Sequence, residues 1–254
     1  MVMHHKLRLA AVAASVALSG CAGNMKVQPM TTDPEGYSAN TFSYAALPVA
    51  TQALIKPPGA DPYPFKRAVV KGSSFDKKKP EDKLVFETIF INDRDDGMLR
   101  QIGKNEANGL LVNRFFAAVY HGAVALGVQS AIPSRAMTAP PRYSRAAKAW
   151  DSLADVKENS EYRFEFREGT KDPLDTGRPW LRVCRTGAAY PASKLLRGLA
   201  GQAIDMTCVD ANENAVTQRE VVYGWLVDYK LALGLSSKTT GGVYVTEYES
   251  VQFQ

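Results

Sequence analysis

Histidine is nearly absent from this sequence of 254 residues, with three in all, and cysteine is as scarce, also with three. His4 and His5 stand at the extreme start, so a Ser/His/Asp or Cys/His mechanism in the rest of the chain has only His121 to use. No G-x-S-x-G element accompanies it. The S-x-x-K run from Ser74 to Lys77 and the Lys238–Gly241 run lack the helical context and spacing of a histidine-free serine enzyme, and both read as turns. Gly-rich phosphate loops are missing, so no nucleotide or other cofactor is implied. Internal repeats and low-complexity tracts are missing too. Charge of one sign is also in short supply: 31 basic residues stand against 26 acidic ones, a net of +5. That is no footprint for nucleic acid, which requires a clustered basic face.

The first residues supply what the rest withholds. Lys6 and Arg8 form a short positive flank, Leu9 to Leu18 an apolar segment, and Ser19 and Gly20 a small-residue stop before Cys21. Ten apolar residues span about 15 Å as a helix, half of a hydrocarbon core, which fits a secretory leader better than a permanent membrane span. The end of the segment, Leu18-Ser19-Gly20-Cys21, resembles the bacterial lipobox. The resemblance covers about twenty residues and no domain family accompanies it. It implies cleavage after residue 20, acylation of Cys21 with palmitate-type chains, and a lipoprotein held in the cell envelope. Ala22 after the cysteine favours the outer membrane, with the chain on its periplasmic face. Loss of Lys6 and Arg8 with the leader lowers the net charge by two.

With Cys21 acylated, Cys184 and Cys208 remain as an even pair in an oxidising compartment, where a disulfide is expected. A thiolate zinc site would need carboxylates to complete a tetrahedral set.

Residues 21–64 read as a tether, because seven prolines between Pro29 and Pro64 deny it a long helix or a central strand. Its apolar residues, among them Tyr37, Phe42 and Tyr44, form the expected binding patch for an envelope protein or a cell-wall partner. From 65 to 254 the pattern predicts one α+β domain, a mainly antiparallel sheet packed on one long buried helix. Strands are expected at 65–70, 83–91, 162–168, 180–186, 204–210, 217–233 and 241–253. The helix is expected over 98–132, where Arg114, His121 and Gln129 recur at spacings of seven and eight on an otherwise apolar segment. A short amphipathic helix is expected at 192–203, and a loop leading into a small helix at 133–150.

Two acidic clusters bear on calcium. Asp93, Asp95 and Asp96 precede the expected helix, at offsets that do not match an EF-hand, and are the weak metal candidates. Asp210, Asn212 and Asn214 read as turn formers between strands. Glu161, Glu165, Asp205 and Glu247 are the carboxylates that strand position offers for glycoside chemistry. The sequence therefore points to a non-catalytic, membrane-anchored binding or assembly component. An envelope hydrolase working through those carboxylates and a small-ligand carrier with a closed apolar cavity are the alternatives.

Overall fold

The structure, a computed structural model, describes residues 25–254. Cys21 and its leader lie outside the described residues. The segment 25–64 holds β1 (Met25–Lys26), α1 (Gln28–Thr32), α2 (Pro34–Phe42), a 3-10 turn (Tyr44–Ala46) and α3 (Val49–Gln52). Twelve strands follow that form a wall: β2 (Arg67–Asp76), β3 (Lys79–Ile91), β4 (Met98–Ala107), β5 (Leu110–Tyr120), β6 (Val124–Ala131), β8 (Arg142–Trp150), β9 (Glu161–Gly169), β10 (Arg178–Pro191), β11 (Gln202–Ala211), β12 (Thr217–Leu226), β13 (Leu231–Thr239) and β14 (Gly242–Phe253). A two-residue strand, β7 (Met137–Thr138), pairs with β1 outside that wall.

Each wall strand pairs antiparallel with the next, and β14 pairs with β2 from Tyr244↔Asp76 to Phe253↔Ala68, so the sheet closes into a barrel. The expected sheet packed on a long helix is therefore wrong. The reason lies in 98–132, which forms β4, β5 and β6. Asn108 and Gly109 both take positive φ, 51° and 76°, in a two-residue loop between Ala107 and Leu110. Asn-Gly is a favoured pair for such a mirror-image turn, whose twist matches that of the strands. His121 and Gly122 turn the chain again, with φ of 50° and 74°. The alternation expected of strands is hidden because both faces are covered: Phe115, Ala117 and Val119 face the lumen, and Phe116, Ala118 and Tyr120 pack elsewhere in the core. The stripe of Arg114, His121 and Gln129 is a coincidence of spacing across two strands and a turn.

Other expectations shift in smaller ways. The 192–203 helix is a single 3-10 turn, Ala192–Lys194, and Gly198 and Gly201 at positive φ carry the chain onward into β11. The 217–233 strand is two strands folded back at Val227–Lys230, and 142–150 is β8 rather than a helix.

Alternation is clearest in β9. Tyr162, Phe164 and Phe166 are buried, while between them Arg163 and Glu165 pair at 2.8 Å on the outside. The same split runs around the wall: Lys71–Glu87 and Arg185–Glu161 are exterior ion pairs on neighbouring strands, and Lys83–Glu247 reaches from β3 across β2 to β14. An apolar interior under a charged exterior is the inverse of a barrel that spans a bilayer, where the outer band faces lipid. Among the described residues no helix is long and apolar enough to cross a membrane.

Two structures cover the wall. Residues 27–55 lie over its outer face, burying Val27, Met30, Phe42, Leu47 and Ile55 against β4, β5, β6 and β8. Thr51 donates to the Ser144 carbonyl at 2.7 Å and Arg100 reaches Ser38 at 3.4 Å. Inside, the Cys184–Cys208 disulfide joins directly opposed residues of β10 and β11, both fully buried.

Loss of that bridge in a Cys184→Ser/Cys208→Ser chain is expected to lower stability by about 3 kcal/mol through the freed chain entropy of the unfolded state. Chemical denaturation of the oxidised chain beside the double variant measures it, and equal midpoints would show that the staple is redundant.

Candidate binding site in the barrel lumen

The antiparallel order puts successive turns at opposite ends. One rim, here the upper, carries the turns at 77–78, 108–109, 132–141, 170–177, 212–216 and 240–241; the lower carries those at 92–97, 121–123, 151–160, 192–201 and 227–230. The lower end is filled. Leu153 and Val156 from the 151–160 turn are buried there, and the Tyr120 hydroxyl accepts from the Leu153 amide at 3.2 Å. Beside them a carboxylate gathers two ammonium groups and an imidazole. Asp61, fully buried, accepts from His121 Nε2 at 2.9 Å, Lys56 at 3.1 Å and Lys230 at 3.2 Å. The other ring nitrogen of His121, Nδ1, faces the Lys230 carbonyl at 2.9 Å, so both nitrogens point at oxygen acceptors.

Above this floor the lumen is hollow. Twelve strands enclose a wider cylinder than the eight whose interior side chains just fill. A cavity of about 300 Å³ is lined by Phe86, Phe90, Phe115, Val119, Leu233 and Tyr248, among others. A second hollow of about 410 Å³ adjoins it and continues past Phe166 and Trp180 toward Gln218 and Thr239 near the upper rim. Ala125, Val128, Arg182 and Arg219 stand in the walls of both.

The two arginines are the polar feature of this apolar space. Arg182 is buried and holds Asp210 through two parallel bonds, Nε to Oδ1 at 2.6 Å and Nη2 to Oδ2 at 2.7 Å. It also donates to the Ala123 carbonyl. Arg219 approaches the same carboxylate, Nε at 3.0 Å and Nη2 at 2.9 Å, yet its side chain is 42% exposed. One carboxylate thus serves two guanidiniums, and the excess positive charge sits on Arg219 where the hollows meet. Burial alone would raise the Asp210 carboxyl; hydrogen bonds and charge from Arg182 and Arg219 outweigh it and hold the group below its ordinary range. Glu168, the other carboxylate of the upper hollow, is bound by Arg142 at 3.1 Å.

The residues expected from sequence to carry a site lie elsewhere. Tyr37, Phe42 and Tyr44 form no free patch. Phe42 is fully buried, Tyr37 packs edge-on against Phe116 and donates to Gln129 at 2.6 Å, and Tyr44 lies under the Arg94 guanidinium at 3.6 Å. Asp93, Asp95 and Asp96 are not gathered for a cation: Asp93 pairs with Arg100, Asp95 with Lys66 and Asp96 with Arg94. Among the described residues no group of three or more His, Cys, Asp or Glu side chains is placed to hold a metal. Glu161, Glu165 and Glu247 are in exterior ion pairs, and Asp205 accepts from Tyr190 at 2.5 Å outside the lumen. Asp210, expected as a turn former, is the buried anchor of the arginine pair, and Asn212 alone takes the turn role, accepting from the Asn214 and Val216 amides. A signal for the cluster was present. Arg182, Asp210 and Arg219 each share a strand face with buried apolar residues, Cys184, Cys208 and Val221, a position where a charge requires a partner.

No family model matches the chain, and no curated protein matches it. Among solved structures, a beta-barrel-like protein of a domain of unknown function, DUF1849, from Brucella abortus aligns with 79% of this chain and 99% of its own, at 7% identity and a TM-score of 0.41. A likeness that distant carries no inference about function.

The closed floor has a pH signature. Burial would raise the Asp61 carboxyl, but the His121 hydrogen bond and charge, with Lys56 and Lys230, hold it well below the usual carboxylate range. A depressed folded-state value contributes stability that is fully present above the ordinary unfolded value near about 4 and is lost as pH falls through the folded one. Asp210 acts in the same direction. Denaturant midpoints are therefore expected to hold steady at neutral pH and drop below about pH 4. Asp61→Asn, which strands the facing cations, is expected to cost about 3–5 kcal/mol at pH 7 and to flatten the acid limb. An unchanged acid limb in that variant would assign the pH response to other groups.

Proposed function

We propose that this chain is a non-catalytic binding lipoprotein of the bacterial cell envelope, exported and anchored through Cys21 at the periplasmic face of the outer membrane. Its barrel carries an amphipathic small molecule with an anionic head. The observation behind this reading is the lumen: adjoining hollows in an apolar, aromatic-rich wall, with one half-exposed guanidinium at their junction. Ligand sites commonly have this composition, an apolar enclosure with a few convergent polar groups that set orientation. A carboxylate or phosphate head would take the donors that Arg219 does not spend on Asp210, and an acyl or ring system would lie against Phe86, Phe115, Val119 and Tyr248.

A carrier fits better than an assembly component because the tether side chains that a protein partner would use, Tyr37, Phe42 and Tyr44, are engaged with the chain's own body. A hydrolytic reading has less support still, since the lumen carboxylates are each neutralised by arginine and the other candidates face outward.

Displacement of a fluorescent polyunsaturated fatty acid from the purified protein tests the reading, beside mass spectrometry of solvent extracts for a copurified amphiphile. Saturable binding at one site is expected. Arg219→Ala is expected to weaken it by about 1.5–3 kcal/mol, roughly ten- to a hundredfold in Kd, while Arg182 keeps Asp210 paired. Absence of both probe binding and an extracted amphiphile would overturn the carrier.

A further inference from the structure

The two rims differ in what they expose. At the upper rim Leu174 in the 170–177 turn is 88% exposed, Leu110 beside the 108–109 turn 72%, and Val216 in the 212–216 turn 54%. Ile132 and Met137 in the 132–141 connection and Tyr244 beside the 240–241 turn are exposed as well. Among the described residues no turn of the lower rim exposes a large apolar side chain in this way. Away from the rim turns Val49 on α3 is 81% exposed and Val85 within β3 50%. Single exposed apolar residues are ordinary on a protein surface, but several on neighbouring turns of one end mark an interaction site. Lys77, Lys78 and Lys79 are exposed on the β2–β3 hairpin of that end, as are cations beside the apolar tips of segments that rest in a lipid headgroup layer.

The chain's own course says what covers this end. β1 pairs with β7, Met25↔Thr138 and Lys26↔Met137, so the N-terminal end of the described chain leaves the barrel at the upper rim. Cys21 precedes Met25 by four residues, which reach at most roughly 14 Å when fully extended. The segment expected to act as a long tether is folded along the wall, so an acylated Cys21 would hold the upper rim against the bilayer. We propose that the upper rim docks on the membrane that anchors Cys21, with Leu110, Leu174 and Val216 inserted at the headgroup boundary. The upper hollow, lined by Gln218 and Thr239 near that rim, then faces the lipid surface, the source of an amphipathic ligand. The orientation rests on the proposed acylation of Cys21.

Quenching in reconstituted vesicles tests it. The full lipoprotein, purified from membranes as Leu174→Cys or Glu158→Cys and labelled with an environment-sensitive dye, is placed in vesicles of phosphatidylethanolamine and phosphatidylglycerol carrying a spin-labelled lipid. Position 158 lies in the lower-rim turn 151–160 and is exposed. The label at 174 is expected to be quenched several-fold more than that at 158, and Leu110→Asp/Val216→Asp is expected to reduce the difference while leaving the protein in the vesicle fraction. Intact mass is read first. A chain without acyl groups overturns the docking together with the anchor. An acylated chain whose two labels are quenched alike overturns the docking alone and leaves the lipoprotein reading standing.

Discussion

Closure of the sheet by β14 on β2 is the constraint from which the rest follows. An open twelve-strand sheet with an apolar inner face would expose Phe86, Phe115, Tyr248 and their neighbours and leave two unpaired edges. Once Val251 pairs with Val70, both edges vanish and the inward side chains are enclosed by the wall. The outer face can then carry charge, which it does in ion pairs between adjacent strands. Pairs of that exposed kind contribute little stability, so the barrel rests on its interior and on the ladder itself.

Closure also explains why charge is buried at two places and how each is settled. At the lower end Asp61 comes from the segment before β2, His121 from the β5–β6 turn and Lys230 from the β12–β13 turn, three regions that meet only once the cylinder is complete. Such a cluster ties the floor shut. In the lumen Asp210 meets Arg182 and Arg219 across three neighbouring strands, and the surplus cation remains where the hollows join. The two clusters differ in place: the floor lysines line neither hollow, whereas the Arg219 guanidinium lines both, where a ligand can reach it.

Much was legible residue by residue. The period of two in Tyr162–Phe166, the turn at Lys238–Gly242 and the pairing of Cys184 with Cys208 follow from local pattern and cysteine count, and the structure has them in place. The segment 98–132 was not legible by periodicity, because a strand covered on both faces loses its alternation and resembles a buried helix. Asn108-Gly109 was the contrary signal, and it bears on two residues against a long, mostly apolar segment. Asp210 misled for a similar reason: Asp-Ala-Asn-Glu-Asn looks like a turn, and it is one from Asn212 onward.

By itself the sequence determined that several stretches extend, 162–168 and 204–210 among them, where charge alternates with apolar side chains there, and which two cysteines can pair. These depend on neighbours along the chain. The tertiary structure alone decided that the sheet closes, that the segment 27–55 lies on the wall, that Asp61, Asp96 and Asp210 rather than Asp93 or Glu165 become buried carboxylates, and that the upper rim exposes apolar tips on several turns. Each is a contact between residues far apart in sequence, as Phe253 is from Ala68. No local pattern specifies which of many extended segments meet, because every one of them presents the same backbone donors and acceptors.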